Sequence, residues 1–334
     1  MDFEFSAEQE MLRESVRAFL TAKAPISTVR AAYESDSLDR SVWDGLAELG
    51  VLDLDMVDSA VVLEELGRAV CPAPFASSAI GARALVPDLD RIGTLAVFEP
   101  GHRYEWRAPA TSVTADGRLV GEKVRVGDAL AAEMFVVTAL GPDGTLGVYA
   151  TEQGEVQSTP TVDGSRKQGT VRFDRVAARR VDADADEVER ALDRLGVAYA
   201  IDGVGAAQRA LELTVEYAKE RVQFDKPIGA FQAVQHLCAD MLRTVELGRA
   251  AAYYAAWALD EASPEEAHRA ATIARAFAAD AFPQLGGTAI QVFGGIGFTW
   301  EHDIHLYYKR LLTCSIAVGS AGELLAELAN VAID

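Results

Sequence analysis

Three textures of hydrophobic patterning succeed one another along the chain. Over residues 1–90 the apolar positions recur at helical spacing. "SAEQEMLRESVRAFL" carries Met11, Leu12, Val16 and Phe19 on that period, and Ser6 with Gln9 three residues on predicts an N-terminal capping box. "RSVWDGLAELG" repeats the arrangement and stops at Gly50, and "SAVVLEELGRAV" is a third helix, stopped by Cys71-Pro72-Ala73-Pro74. Over 91–182 the period shortens. "TLAVFEP", "SVTADGRLVGEKVRV", "MFVVTALGPDGTLGVYA" and "QGTVRFDRV" are short alternating or β-rich runs, with Asp116-Gly117 and Asp143-Gly144 placed as hairpin turns. A small antiparallel sheet domain is expected. Over 183–334 the helical period returns. Ala207, Leu211, Val215 and Ala218 mark one apolar face, and Ser263-Pro264 opens a long Ala-rich helix that ends in glycines. The order helical, β, helical predicts an α+β fold whose C-terminal part is a helix bundle.

Composition narrows the function classes. The net charge of -20 argues against nucleic-acid binding, which needs cations to displace counterions. Cys71, Cys238 and Cys314 are few, far apart and odd in number, so neither a disulfide framework nor a C-x-x-C site is expected and a cytoplasmic protein is the natural reading. The acidic opening residues lack the basic start of a signal peptide. No window is expected to reach the uninterrupted apolar length of a membrane span.

Two stretches could hold a ligand. In "ERVQFDKPIGAFQAVQ" a helix should end near Arg221, Lys226-Pro227 should break it, and Phe231-Gln232 should begin the next helix. Arg221 is a forked donor suited to phosphate, Gln223 and Gln232 can bond phosphate, ribose or a base edge, and Phe224 and Phe231 can pack on a flat ring. The plainer reading is a helix connection with surface polar groups and two core aromatics. In "QVFGGIGF" the glycines allow close backbone approach, or simply stop a helix. It is no dinucleotide fingerprint, because the surrounding pattern is helical. His302 and His305, three apart, could share a helix face as metal ligands, but further ligands at suitable spacing are not evident, and solvated helix side chains are the plainer reading. No nucleophile elbow or P-loop is present.

Together these segments resemble the acyl-CoA dehydrogenase family over nearly the whole chain. The resemblance rests on "VVLEELGRAV", "AQRALELTVEYAKERVQFDKPIGAFQAVQHLCADM" and "IQVFGGIGFTWEHDIHLYYKR". It is nearest to actinobacterial flavoenzymes that act on steroid-CoA esters and assemble from two unlike subunits. The family desaturates an acyl-CoA between its α and β carbons, with a Glu as base and FAD as hydride acceptor. The flavin ring sits on the β-domain of one subunit while a neighbour's C-terminal bundle grips the rest. The resemblance assigns that grip to Arg221, Gln223, Phe224, Phe231, Gln232 and the segment Gln291, Val292, Phe293, Gly294 and Gly295. Asp225 departs from the Gly of most relatives.

The catalytic half departs further. The family's Glu-Gly-Thr reads Val318-Gly319-Ser320, and a Val side chain cannot take a proton. The alternative place for the base falls near Leu195-Gly196. The flavin-contacting Thr-Glu-Pro reads Phe98-Glu99-Pro100, and Trp-x-Thr reads Arg125-Val126-Gly127. A Gly-rich loop after "LGVLDLD" is missing. The resemblance therefore implies a four-helix C-terminal bundle, FAD as cofactor, and a related catalytic subunit as partner in an α2β2 assembly that binds the acyl-CoA, this chain contributing no catalytic residue. Two rival readings stay open. One is a homo-oligomeric flavoprotein with a displaced base such as Glu99 or Glu301, or with non-redox chemistry on a CoA ester. The other is a scaffold that has lost flavin.

Overall fold

The computed structural model describes residues 5–333; the acidic opening residues lie outside that range. The chain forms two compact units. One contains the stretch up to Arg30, Leu54–Cys71 and Gly196 onward; the other contains Ala31–Asp53 and Pro72–Leu195.

The first unit is helical. Helix α1 (Ala7–Lys23) opens with the expected capping box, Ser6 and Gln9 each bonding the other's backbone N–H. The next helix in this unit is α4 (Met56–Arg68). Asp55 caps it, and the Asp260 carboxylate accepts the Met56 and Val57 N–H groups, so two otherwise orphaned donors are satisfied. Helix α5 (Ala185–Glu220) crosses α4 from Gly196 onward at backbone contact. A Cβ on Gly67 would lie 1.9 Å from the Asp202 carbonyl oxygen, and one on Gly205 would lie 1.9 Å from that of Glu64. The predicted apolar face is real: Ala207, Leu211 and Ala218 are buried, and Val215 half-buried. Two long helices, α6 (Gln232–Glu261) and α7 (Pro264–Phe293), and the shorter α8 (Ile304–Ile316) complete the bundle with α5, and α9 (Ala321–Ile333) packs on α7. At its centre the fully buried Arg310 bonds both oxygens of the fully buried Asp202 at 3.1 and 3.0 Å and the Cys71 carbonyl at 3.0 Å. Removing either partner would strand a buried charge.

Residues 304–330 are long and apolar enough, by length and composition, to cross a membrane, which corrects the sequence expectation. The structure gives the apolarity another use. The stretch is two helices parted at 317–320, where Gly319 takes φ 125°, and it carries Arg310 into the bundle.

Short helix α2 (Ile26–Ala32) lies mostly in the first unit, its last two residues opening the second, which then has α3 (Arg40–Glu48) and a buried π-helical segment, Ala76–Ala82. The sheet of the second unit contains β1 (Gly93–Ala96), β2 (Ser112–Val113), β3 (Arg118–Gly127), β4 (Met134–Leu140), β5 (Leu146–Thr151), β6 (Glu155–Thr159), β7 (Gln168–Ala177) and β8 (Arg179–Val181). Both predicted hairpin turns are present, with Gly117 at φ 76° and Gly144 at φ 79°. The sheet is mixed where a purely antiparallel one was expected, because β1 and β2 each run parallel to β4. A parallel pair needs a long connection, and residues 97–133 supply it between β1 and β4. Leu119, Val126, Phe135, Val137, Val171 and Phe173 fill the core of this sheet.

Candidate functional site

In the helical unit, α5 stops at Glu220 and the chain turns through a two-stranded hairpin, β9 (Val222–Gln223) and β10 (Lys226–Pro227), before Phe231 begins α6. The turn residues Phe224 and Asp225 have φ 53° and 62°, the left-handed pair that a two-residue hairpin demands and that Gly or Asn fills most cheaply. This accounts for Asp225 standing where a Gly is expected: the conformation is kept without the residue that suits it. The reading of Phe224 and Phe231 as two core aromatics fails. Phe224 is 85% exposed and leans edge-on against the half-buried Phe231, over which the Lys226 ammonium sits at 4.2 Å. Arg221 and Gln232 are exposed, and among the described residues the Arg221 side chain has no hydrogen bond or ion pair. Gln223 is exposed as well, its amide bonded only to the adjacent Val222 carbonyl.

The glycine segment lies at the same end of the bundle. Helix α7 ends at Phe293, whose ring stacks on Tyr217, in the last turn of α5, at 4.3 Å. Val292 and Phe293 face inward, while Gln291, Gly294 and Gly295 are exposed. Gly294 takes φ 65°, ψ -143°, a conformation open in practice to glycine alone. Gly295 is different: a Cβ there would meet nothing within 4 Å. Among the described residues nothing requires glycine at 295, and none of them covers its backbone where a Cβ would point. An unpaired guanidinium, two glutamines, an exposed aromatic ring and an open glycine turn thus share one end of one unit. Such a set can bond the oxygens of a pyrophosphate and the edge of a base.

Beside this end, the His302 Nδ1 accepts the Ile304 N–H and so caps α8, while its ring lies 4.3 Å from Phe293. His305 is buried edge-on to Trp300 at 4.6 Å, which overturns its reading as a solvated side chain. Burial, then the nearby Lys309 and Arg30 charges, push its pKa down to about 4, so it is neutral at physiological pH. The two histidines therefore serve capping and packing, and among the described residues no three His, Cys, Asp or Glu side chains gather as a metal site. Val318, where the sequence resemblance leads one to expect a catalytic Glu, is buried, and Arg275 donates to its carbonyl. Sequence reasoning overlooked Glu323. Its carboxylate bonds the Ser320 hydroxyl and, at 3.1 Å, the Ser320 N–H, as the capping box of α9. The pattern Ser-x-x-Glu was legible there.

In the β unit, Glu99 is a structural carboxylate. It accepts from the Ala110 and Thr111 N–H groups at 2.6 and 2.9 Å and pairs with the fully buried Lys123 at 2.8 Å. Burial alone would raise its pKa, but the bonds from Lys123, Thr111 and Ala110 outweigh it and hold the group at about 2. A carboxylate so acidic and so fully engaged is a poor base. Glu301 lies exposed before α8. Arg125 is half-buried, its guanidinium 4.3 Å from the Tyr104 ring and 5.0 Å from the Phe98 ring. The Tyr104 contact left no sign in the sequence, since it depends on how residues 97–111 fold back.

Comparison with known proteins agrees with this architecture. The acyl-CoA dehydrogenase N-terminal domain matches residues 6–97 and the C-terminal domain matches 187–332. The chain is 32% identical to the acyl-CoA dehydrogenase IpdE2 of Mycobacterium tuberculosis over 96% of both chains. Among solved structures it is similar to the steroid ACAD Tcur3481-Tcur3483 (28% identity, 98% of both chains, TM-score 0.89). It is also similar to the ChsE4-ChsE5 complex from Mycobacterium tuberculosis (25% identity, 100% of this chain and 99% of that one, TM-score 0.88). The chain belongs to the acyl-CoA dehydrogenase family of oxidoreductases.

Proposed function

We propose that this chain is the non-catalytic subunit of a heteromeric, FAD-dependent acyl-CoA dehydrogenase. It lends Arg221, Gln223, Phe224, Phe231, Gln232 and the Gln291–Gly295 turn to FAD seated on a related catalytic subunit, two copies of each forming the assembly. The carrying observation is a contrast within the chain. The hairpin and glycine turn present unpaired polar groups and open backbone, whereas the position of the family's base holds a buried Val318. The residues fit the cofactor on one side only. Arg221 would bond the pyrophosphate and Gln291 with the Gly294–Gly295 backbone would meet the adenine end. Val292 and Phe293 would act from behind, by fixing the turn through the Tyr217 stack. The β unit does not fit the flavin ring, because Arg125 packs against Tyr104 and Phe98 where the family's flavin-contacting Trp-x-Thr would stand. Bound FAD supplies the two-electron oxidant; the base that takes the α-proton comes from the partner, as does the pocket for the acyl-CoA. The name of one similar structure, a steroid ACAD, supports a steroid-CoA ester as substrate.

The test is to purify the full chain alone and together with a related acyl-CoA dehydrogenase chain encoded beside it. The expected result is flavin and acyl-CoA oxidation only in the complex. A lone chain that binds FAD stoichiometrically and desaturates an acyl-CoA would refute the reading.

A further inference from the structure

The cations of this acidic chain mostly face carboxylates: Arg17 with Glu65, Arg30 with Asp303, Arg68 with Glu212, Arg249 with Glu64 and Arg310 with Asp202. Arg125 does not. Among the described residues it has no ion pair and no hydrogen bond, and its polar contacts are two ring faces. Its Nε is shut away from solvent without a partner, which is not so of the Nη nitrogens. A guanidinium in this state would ordinarily swing out to water.

The backbone holds it in. Between Lys123 and Val126, β3 has two residues opposite the single Thr170 of β7, a β-bulge. Arg125 is the second of them, at φ 54°, strained for a side chain of its size. The bulge turns the Val124 N–H onto the Phe98 carbonyl at 2.9 Å, which ties the 97–111 loop to the bulge. Phe98 and Tyr104, themselves edge-to-face at 5.4 Å, then flank the guanidinium. The carboxylates of that loop are engaged elsewhere: Glu99 with Lys123, and Glu105 with the Arg107 N–H at 2.7 Å. The same loop adds His102 and Arg103, both exposed.

We propose that Arg125, framed by Phe98 and Tyr104, is an oxyanion-binding site of the β unit. It takes a carboxylate or phosphate group end-on through the two Nη nitrogens. The guanidinium fork matches both groups, and the flanking rings lower the local dielectric, which strengthens the charge-assisted bonds. Ring contacts and bulge fix the fork before the ligand arrives, so little side-chain freedom is lost on binding.

The test is calorimetric titration of the full chain at low ionic strength with sodium benzoate and, separately, with inorganic phosphate. Saturable binding of at least one probe is expected, weakened about tenfold or more by Arg125→Gln, a loss of the size a charge-assisted fork supplies. Arg125→Lys keeps the charge, removes the fork and should bind with intermediate strength; it serves as the reading if the Gln variant fails to fold. Arg243→Ala, at an exposed arginine of the helical unit that pairs with Asp240, should leave binding unchanged, which separates this site from general attraction to surface cations. Preference for benzoate assigns a carboxylate ligand, and preference for phosphate assigns a phosphate ester. Absence of saturable binding by both probes, or affinity unchanged in the Arg125 variants, overturns the proposal.

Discussion

Two arginines without carboxylate partners define the two units. Arg221 stands exposed at the start of a hairpin, at the end of the unit where the Gly294–Gly295 turn has no described residue within 4 Å of an added Cβ. Arg125 is drawn in between two aromatic rings on a strained bulge. The first arrangement leaves donors available to a large ligand brought from outside. The second packs its guanidinium against two ring faces of its own unit. Within one chain, then, one arginine is exposed and the other is packed between rings of its own unit, and the two conditions can be tested apart.

The largest effect should come from opening the closed unit. Lys123 is fully buried, and its ammonium meets Glu99, the Val97 carbonyl and Thr138. Lys123→Met removes the partner of a buried carboxylate and should cost about 3–5 kcal/mol in chemical denaturation. The pH dependence follows from the same pair. Glu99 titrates near 2 in the folded chain and higher when unfolded. Its stabilisation is therefore complete above the unfolded value and is lost as pH falls through the folded one. Lys123 is lowered to about 8, because burial outweighs the pull of Glu99, and remains charged at neutral pH. Acid unfolding between about pH 4.5 and 2 should be blunted in Glu99→Gln with Lys123→Met. An unchanged acid limb would mean that the pair does not hold the sheet.

Next in size is the open end. Arg221→Ala should leave folding intact, since the exposed side chain makes no hydrogen bond or ion pair among the described residues. It should weaken flavin retention by the complex about 10- to 150-fold, corresponding to ~1.5–3 kcal/mol for hydrogen bonds to a charged group. Equilibrium dialysis against FAD reads this directly. Retention equal to the parent would remove Arg221 from the cofactor and leave the scaffold reading standing.

Much of this was legible in the residues, and the illegible remainder has a common cause. Ser6 with Gln9, Ser263-Pro264 and Asp116-Gly117 announce their elements because caps and tight turns are local chemistry. The hairpin between α5 and α6 was readable as a break, but not as a strained left-handed pair, since Phe-Asp is not a sequence that asks for that turn. Likewise the parallel β1–β4 pairing, the fate of Glu99 and the clamp on Arg125 depend on residues 97–111 folding back, a tertiary event without periodicity. His305 misled because its three-residue spacing from His302 suits ligands and core packing alike; only burial against Trp300 decides.

A smaller effect probes that strained turn. Asp225 holds φ 62° at a cost that glycine would not incur. Asp225→Gly should raise stability by about 1 kcal/mol, seen as a higher thermal midpoint. A lower midpoint would show that the Asp side chain contributes something beyond its backbone angle.

The smallest change in stability should accompany the sharpest test of openness. At Gly295 an added Cβ meets no atom of the described residues within 4 Å, and the backbone angle is not in the left-handed region. Gly295→Ala should therefore alter stability by less than about 0.5 kcal/mol, as surface changes away from special features do. Gly294→Ala, at φ 65°, should be clearly destabilising by comparison. If a dinucleotide rests on this turn, the Gly295 methyl lies in its path, and the complex should lose flavin while the chain melts as before. Loss of flavin without loss of fold is a result that an ordinary helix stop cannot produce, because a helix stop has no use for empty space beyond the chain.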